Sequence, residues 1–517
     1  MMHPYSYFPA RAARHWPDRV ALIDGERQMS YAALDAAASM VARGLLRAGL
    51  QPGDRVALIQ SNCLEYVVAA IAIARAGGVY CPVLGVLTEP EHRYIVVNTD
   101  TRLVIALTPE HFERARALCA DGRTALGLGA FAGAADLLAD SGPTDPLPLF
   151  DRPPETLAQI LHTSGTTGKP KGVTHSFASV AAAMTFWYTT FGHRPEDRLL
   201  GQLPLSHFCG RAMDSAWLGG AALVILRDAA PAAVLEAIAR HRVSFMLGVP
   251  TFLRMLLDEP AIESTHLSSL RAIVYAAAPA APTLVERAMK RFGAVLYTGF
   301  GQTEAYGLCT FMGPAEHAEA LAGDHRRLTS VGREYAGAQV IIRDSEGRPC
   351  GPGEVGEICL CAPWMTPGFW KNAGLDAQRL AGGWLATGDL GRMEADGYVY
   401  LADRREDLII TGGYNVYPAE VEHALVAHPA VAECGVFAVP DDKWGEAVQA
   451  AVVLCPGMSA SEAELIAFAK EHLAKFKVPK AVTIVEELPR TPVGKIIRRV
   501  LREPYWAGHD RQVHGAG

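Results

Sequence analysis

The sequence predicts an α/β protein with α+β elements. A large N-terminal domain of α/β subdomains plus a β-rich subdomain is followed by a small α/β C-terminal domain. Three observations predict this. Short β-rich runs alternate with helix-patterned stretches along most of the chain, the mark of substantially parallel sheets. After about residue 337 the texture changes to shorter strands set apart by Gly and Pro. The 517 residues also exceed the roughly 250–300 at which a single core stops growing.

The elements follow in order. 20-VALID-24 and 55-RVALI-59 read as strands, and Leu34, Met40, Val41, Leu45 and Leu46 recur at helical spacing between them. Pro52-Gly53-Asp54 marks a turn. 223-LVIL-226, 243-VSFML-247 and 271-RAIVYA-276 are further strands between helices. Residues 121–155, rich in Ala, Gly, Asp and Pro, read as a surface connection. 339-QVIIRD-344, 355-VGEICL-360 and 398-YVYLA-402 are the shorter strands. A small unit runs from about 405: strand 408-LIITGG-413, helix 418-PAEVEHALVAH-428, strands 434-CGVFAV-439 and 450-AAVVL-454, and helix 461-SEAELIAFAKEHL-473. Pro418 suits a first helical turn, and Glu420 and Glu422 suit its positive end. There is no internal repeat.

Composition narrows the class of function. The net charge of −7 gives no electrostatic footprint for nucleic acid. The most apolar stretch, 67–84, is broken by Arg75 and Gly77-Gly78, so no spanning helix is expected. The N-terminal MMHPYSYFPARAARHW lacks the apolar core of a signal peptide. Ten cysteines are scattered, with only Cys359 and Cys361 close together, so no zinc knuckle is read. Cys209 and Cys309 read as core thiols. The expectation is a reduced, cytoplasmic protein.

Five segments can carry chemistry. 163-TSGTTGKPKG-172 interleaves hydroxyls with glycines and adds Lys169 and Lys171, a composition suited to wrapping polyphosphate. It is not the Walker loop, because Pro170 follows Gly168-Lys169. In 297-YTGFGQTEA-305, Gly299 and Gly301 flank Phe300, an aromatic suited to a base, and Glu304 is suited to Mg²⁺ beside phosphates. In 387-TGDL-390, Asp389 can accept from ribose hydroxyls; alone, a turn aspartate is the plain reading. The fourth is 403-DRREDLIITGGYNVYPAEVE-422, charged at its start and glycine-paired in its middle. The fifth is 489-PRTPVGKIIRR-499, with Lys495 in a basic run.

In this order and spacing, the five segments closely resemble the adenylate-forming (ANL) superfamily, over about residues 10–503. 203-LPLSHFCG-210, 439-VPDDKWGEAVQAAVVL-454 and 475-KFKVPK-480 join the resemblance, and the last two look most like the acyl- and aryl-CoA synthetase branch. The resemblance implies a two-step reaction with ATP, Mg²⁺ and coenzyme A: a carboxylate becomes acyl-AMP, and a thiol then displaces AMP. It implies that Thr163, Ser164, Gly165, Thr166, Thr167 and Lys171 cradle the departing phosphates. Glu304 would hold Mg²⁺ and Thr303 would touch the α-phosphate. Ala277, Ala278, Pro279, Gly299, Phe300 and Gly301 would bind the nucleotide, with Asp389 and Arg404 on the ribose. Lys495 would bridge carboxylate and α-phosphate. Gly412 and Gly413 would line the thiol tunnel of the second step. The implied domains are 1–402, a hinge at 403–408 and a mobile unit at 409–517. Glu406 stands at the hinge position, where relatives usually carry Asp or Lys. His207, Phe208 and Gly301 would border the acyl pocket, with His207 gating it or orienting the acid. A homodimer is implied by family habit.

The segments expected to form the acyl pocket, 184–191, 207–210, 248–252, 276–279 and 299–307, are mostly apolar, aromatic or small and hold no lysine. They suit a hydrophobic monocarboxylic acid: aromatic, alicyclic, terpenoid or medium-chain. Arg211 is the polar exception, and reads either as a contact to the acid or as a salt-bridged structural residue. Two alternatives stand beside a CoA ligase. One is an adenylating enzyme that passes its acyl group to a carrier protein or partner enzyme. The other is a non-catalytic nucleotide-binding scaffold, against which the pairing of Glu304 with Lys495 argues.

Overall fold

The computed structural model describes residues 1–59, 61–139, 145–163, 170–277, 280–404, 407–411, 414–441, 443–490 and 496–506, apart from the side chains of Phe208, Arg211, Asp403, Arg404 and Asn415. Its contacts divide the chain into two compact units. One comprises Met1–Leu328, Glu334–Gln339 and Leu360–Leu385; the other comprises Thr329–Arg333, Val340–Cys359 and Ala386–Gly517.

Two sheets organise the larger unit. In a six-stranded sheet the order is Thr124–Gly127, Leu103–Ala106, Arg55–Ile59, Val79–Val83, Leu157–Thr163 and Lys171–Ser176. All pairs are parallel except the last, an antiparallel hairpin. In a seven-stranded sheet the order is Leu296–Thr298, Ala272–Tyr275, Phe245–Gly248, Arg198–Gly201, Ala222–Ile225, Val20–Asp24 and Arg27–Ser30, again parallel but for its final hairpin. The alternation therefore does report parallel sheets. The central strands, such as Leu103–Ala106, Ala222–Ile225 and Phe245–Gly248, are apolar and buried throughout, as strands covered on both faces tend to be, whereas the hairpin strands Arg27–Ser30 and Lys171–Ser176 carry polar residues. Arg75 is fully buried in this unit, where Asp35, Ser39 and Ser6 take up its guanidinium.

The stretch 121–155 is not only a connection. Thr124–Gly127 forms the edge strand of the six-stranded sheet, beside Leu103–Ala106. A four-residue edge strand needs little apolar pattern, so composition hides it.

In the second unit, Gln339–Arg343, Gly356–Cys361, Leu385–Met393 and Val399–Arg404 form a four-stranded sheet, at whose margins the two units divide the strands. A five-stranded sheet follows, led by the long hairpin Val431–Asp441 with Gly445–Leu454. Its core gathers Val421, Leu425, Val436, Val448, Val452 and Leu465 from the strands and from helices Pro418–Val426 and Glu462–His472. Pro418 opens the first helix with Glu420 in its first turn. Ser461 caps the second in a capping box with Glu464. No described helix is long and apolar enough to cross a membrane. All ten cysteines are free, and burial pushes the Cys309 thiol up to about 12.

Candidate active site

The segment expected to bind polyphosphate is flanked by the two strands of a hairpin. Strand Leu157–Thr163 leads in and strand Lys171–Ser176 leads out, with Thr163 and Lys171 as cross-strand partners at its mouth. Ser164, Gly165, Thr166 and Thr167 lie outside the described residues. Behind the mouth the backbone is covered closely. A Cβ on Gly172 would meet Ile160 Cγ2 and Trp370 Cβ at 3.0 Å, so a larger residue would have to push one of them back by a few tenths of an ångström. The Trp370 N–H donates to Gly172 O at 2.7 Å.

That contact begins a rail that sequence reading missed. Thr174 N donates to Gly368 O at 3.0 Å, and Val173 bridges to Phe369. The Thr366 hydroxyl lies 2.7 Å from Thr174 O, and Thr366 N donates to Glu304 O at 2.6 Å. Independently, His175 Nε2 lies 2.9 Å from Thr303 O. The outgoing strand of the hairpin and the Thr303–Glu304 turn are thus fastened together twice. No motif signals it, because residues 366–370 have neither strand periodicity nor a charged cluster.

Glu304 lies in a short 3₁₀ turn, Thr303–Ala305, and is buried. Arg379 Nη1 donates to its Oε1 at 3.1 Å, while Arg379 Nη2 donates to Gln302 Oε1 at 3.1 Å. Just before the turn, Phe300 N donates to Thr310 Oγ1 and Cys309 N donates to Phe300 O, so residues 299–301 lie against 307–310. Gly301 is required there: a Cβ would come 1.9 Å from Gly307 O. Phe300 is 7% exposed, its ring largely covered.

Strain marks the same neighbourhood. Only five described non-glycine residues have φ above zero, and Ala277 (φ 72°), Tyr306 (54°) and Lys371 (52°) are three of them. Such conformations cost about 1–3 kcal/mol and collect at functional sites. Ala277 is exposed at the end of strand Ala272–Tyr275, whereas Ala278 and Pro279 lie outside the described residues.

His207 caps the short helix Phe208–Met213, with its Nδ1 3.4 Å from the Ser206 hydroxyl. A cleft of about 540 Å³ opens along one face of helix Phe177–Phe191, lined by Ala178, Ala181, Ala182, Thr185, Phe186 and Thr189 and across from them by Tyr335 and Trp364. It takes in only part of the expected 184–191 pocket segment.

In the second unit, Asp389 and Arg404 are cross-strand partners on neighbouring antiparallel strands, so the two expected ribose ligands share one register. Gly388, at φ 75°, turns the chain there and donates to Glu357 Oε1 at 2.8 Å. Glu406, Gly412, Gly413 and Lys495 lie outside the described residues, but their flanks are fixed. Thr411 and Tyr414 pair across a hairpin around the two glycines. Arg490 bridges to Ile496 around the Lys495 segment. The following helix, Arg498–Arg502, is clamped: Arg498 and Arg502 each reach Asp407 at 3.3 Å, and Arg498 Nη2 reaches Glu422 at 2.7 Å.

Comparison with known proteins shows the family. The AMP-binding enzyme family model matches residues 9–370, and the model of its C-terminal domain matches 420–495. The chain belongs to the AMP-binding enzyme family. Among relatives of this AMP-binding enzyme is the medium/long-chain-fatty-acid–CoA ligase FadD8 of Mycobacterium tuberculosis, 37% identical over 74% of this chain and 67% of the relative. The fatty acid–[acyl-carrier-protein] ligase ScoC of Streptomyces coeruleorubidus is 34% identical over 97% and 96%. Among solved structures, the amide bond synthetase McbA of Marinactinospora thermotolerans superposes with a TM-score of 0.88 at 33% identity, covering 97% of this chain and 100% of that one. The o-succinylbenzoate CoA synthetase of Bacillus subtilis, solved with ATP and magnesium ion, gives 0.85 at 28% identity, covering 95% and 98%.

Proposed function

We propose that this AMP-binding enzyme is an acid–thiol ligase that activates a hydrophobic monocarboxylic acid with ATP and transfers the acyl group to coenzyme A. The observation that carries it is the double fastening of the Thr303–Glu304 turn to the outgoing strand of the Thr163–Lys171 hairpin. A polyphosphate cradle and a buried carboxylate are thereby held together. The CoA-ligase names of relatives such as FadD8 support the acceptor.

In the first step a carboxylate oxygen bonds to the α-phosphorus of ATP. The α–β P–O bond breaks, and its electron pair leaves with pyrophosphate. In the second, the thiol sulfur bonds to the acyl carbon and releases its proton. The acyl–oxygen bond breaks, and its electron pair goes to AMP. Catalysis of the first step is positioning and charge neutralisation. Thr163, Ser164, Gly165, Thr166, Thr167 and Lys171 hold the departing phosphates. Thr303 meets the α-phosphate, and Lys495 bridges it to the attacking carboxylate. Ala277, Ala278, Pro279, Gly299, Phe300 and Gly301 hold the adenine; Asp389 and Arg404 hold the ribose. His207, Phe208 and Gly301 border the acid. Rotation of 409–517 about 403–408, with Glu406 in the hinge, then exchanges Lys495 for Gly412-Gly413.

The donor set at Glu304 fits Mg²⁺. No described cluster of three His, Cys, Asp or Glu could hold a metal by protein alone, and Mg²⁺ typically binds through one or two carboxylates plus phosphate oxygens. When bound, it would neutralise the polyphosphate charge.

A second reading has support of its own. Full-length similarity to ScoC favours a carrier-protein thiol as acceptor. One experiment separates the two. Mass spectrometry follows the products from Mg·ATP, CoA and a panel of aromatic, alicyclic, terpenoid and fatty acids. Acyl-CoA with equimolar AMP upholds the ligase. Acyl-AMP without acyl-CoA moves the acceptor to a carrier or partner enzyme. Release of ADP in place of AMP overturns both.

A further inference from the structure

The carboxylate assigned to the metal already has a cation. Glu304 is only 8% exposed at its side chain, and the Arg379 side chain beside it is 16% exposed. The guanidinium forks between Glu304 Oε1 and Gln302 Oε1, each at 3.1 Å, with its Cζ 5.7 Å from the centre of the Phe369 ring. Arg379 ends the helix Ala373–Arg379. Asn372 caps that helix by accepting from Leu375 N, and Asp376 accepts from Phe369 N at 2.7 Å. The rail that joins the hairpin to the Glu304 turn thus also carries the arginine.

An arginine cannot be neutralised by losing a proton, so its charge at Glu304 is permanent. Two cations close to one carboxylate repel each other, more strongly in a buried setting than in water. We propose that Arg379 is a built-in counter-ion which orients Glu304 before nucleotide arrives and competes with the divalent cation for it. This rests on the reading of Glu304 as the metal anchor. The consequence is an ordered loading: the free enzyme rejects the bare cation, which enters only together with polyphosphate oxygens able to share the two positive charges. Arg379 is a positioning residue and touches no reacting atom.

The test titrates Mn²⁺ into nucleotide-free full-length protein, read by the loss of free-ion EPR signal. Arg379→Gln is expected to bind one Mn²⁺ at least about tenfold more tightly than wild type, and the double variant Arg379→Gln/Glu304→Gln is expected to lose that gain. Arg379→Met, which removes the charge but keeps an unbranched side chain, is likewise expected to tighten Mn²⁺ at least several-fold. It serves if Arg379→Gln folds poorly. Unchanged or weaker Mn²⁺ binding in both variants overturns the proposal. A parallel titration of Glu304→Gln with a non-hydrolysable ATP analogue keeps the two failures apart. If that variant binds Mn²⁺ with the analogue as wild type does, the metal-anchor reading falls. If it binds less tightly while Arg379→Gln gains nothing, only the counter-ion role falls.

Discussion

In the proposed reaction Glu304 would anchor the metal and Lys495 would bridge the reacting oxygens. A lysine bridging carboxylate and α-phosphate acts only while charge builds at those oxygens, so Lys495→Ala is expected to cut ATP–pyrophosphate exchange by about 10²–10³. Thioester formation from supplied acyl-AMP should fall much less, and equal losses in the two assays would remove the assigned role. Glu304→Gln keeps an oxygen facing Arg379, so its fold should survive a loss of about 1–3 kcal/mol while exchange collapses; thermal unfolding beside exchange kinetics checks both. Legibility at this scale divides by chemistry. Glu304, Thr303 and Asp389 stand out as candidates in the sequence because each sits in a glycine-punctuated motif. Arg379 does not. It lies 75 residues from its partner, on a seven-residue helix, and its own surroundings name no ligand.

Short elements fix the geometry that motifs only suggest. Thr366 joins Thr174, Gly368 and, through its backbone, Glu304. Thr366→Val keeps the shape and removes the hydroxyl, leaving Thr174 O and Gly368 N short of a partner. We expect about 1–3 kcal/mol lower stability and a larger proportional loss in pyrophosphate exchange than in AMP binding, measured by denaturant unfolding and calorimetry. In the second unit, Asp407 takes both Arg498 and Arg502, with side chains 15–19% exposed. Asp407→Ala takes one carboxylate from both arginines while Glu422 still holds Arg498, and should cost about 1–3 kcal/mol. Because Arg498 starts the helix after the Lys495 segment, exchange should fall with it; an unfolding midpoint equal to wild type would show the clamp to be idle. Helices with clear caps, such as those at Pro418 and Ser461, were legible in sequence. The edge strand Thr124–Gly127 and the rail at 366–370 were not, since each is held largely by backbone hydrogen bonds that any sequence can make, the rail with the Thr366 and Thr174 hydroxyls besides.

At the scale of the molecule, the βα alternation announced substantially parallel sheets because most of their central strands are buried and apolar. It did not announce what those sheets bury besides hydrocarbon. Burial lowers His3 to about 3, and His162 and His193 to about 4, all within the larger unit. In the unfolded chain these rings titrate near 6.5. Between about pH 6.5 and 4 the unfolded state therefore binds protons that the folded state refuses. Their contribution is complete above 6.5 and drains away as pH falls through that window, by up to about 3 kcal/mol for a ring at 4. His193 makes the sharpest case. Its ring stacks on Phe191 at 6.0 Å and meets the edge of Phe245 at 5.1 Å, and neither ring nitrogen has a hydrogen-bond partner. The charges nearest it, Asp197 and Arg271, are bound to each other at 2.6 Å. His193→Phe should thus match wild-type stability at pH 8 and unfold at a distinctly lower pH. Tryptophan fluorescence reads this directly, since Trp444 and Trp506 alone of the eight tryptophans lie in the second unit. An acid midpoint unmoved by the substitution would mean that the ring is already hydrated or charged in the native state, and that the acid limit of the larger unit is set elsewhere.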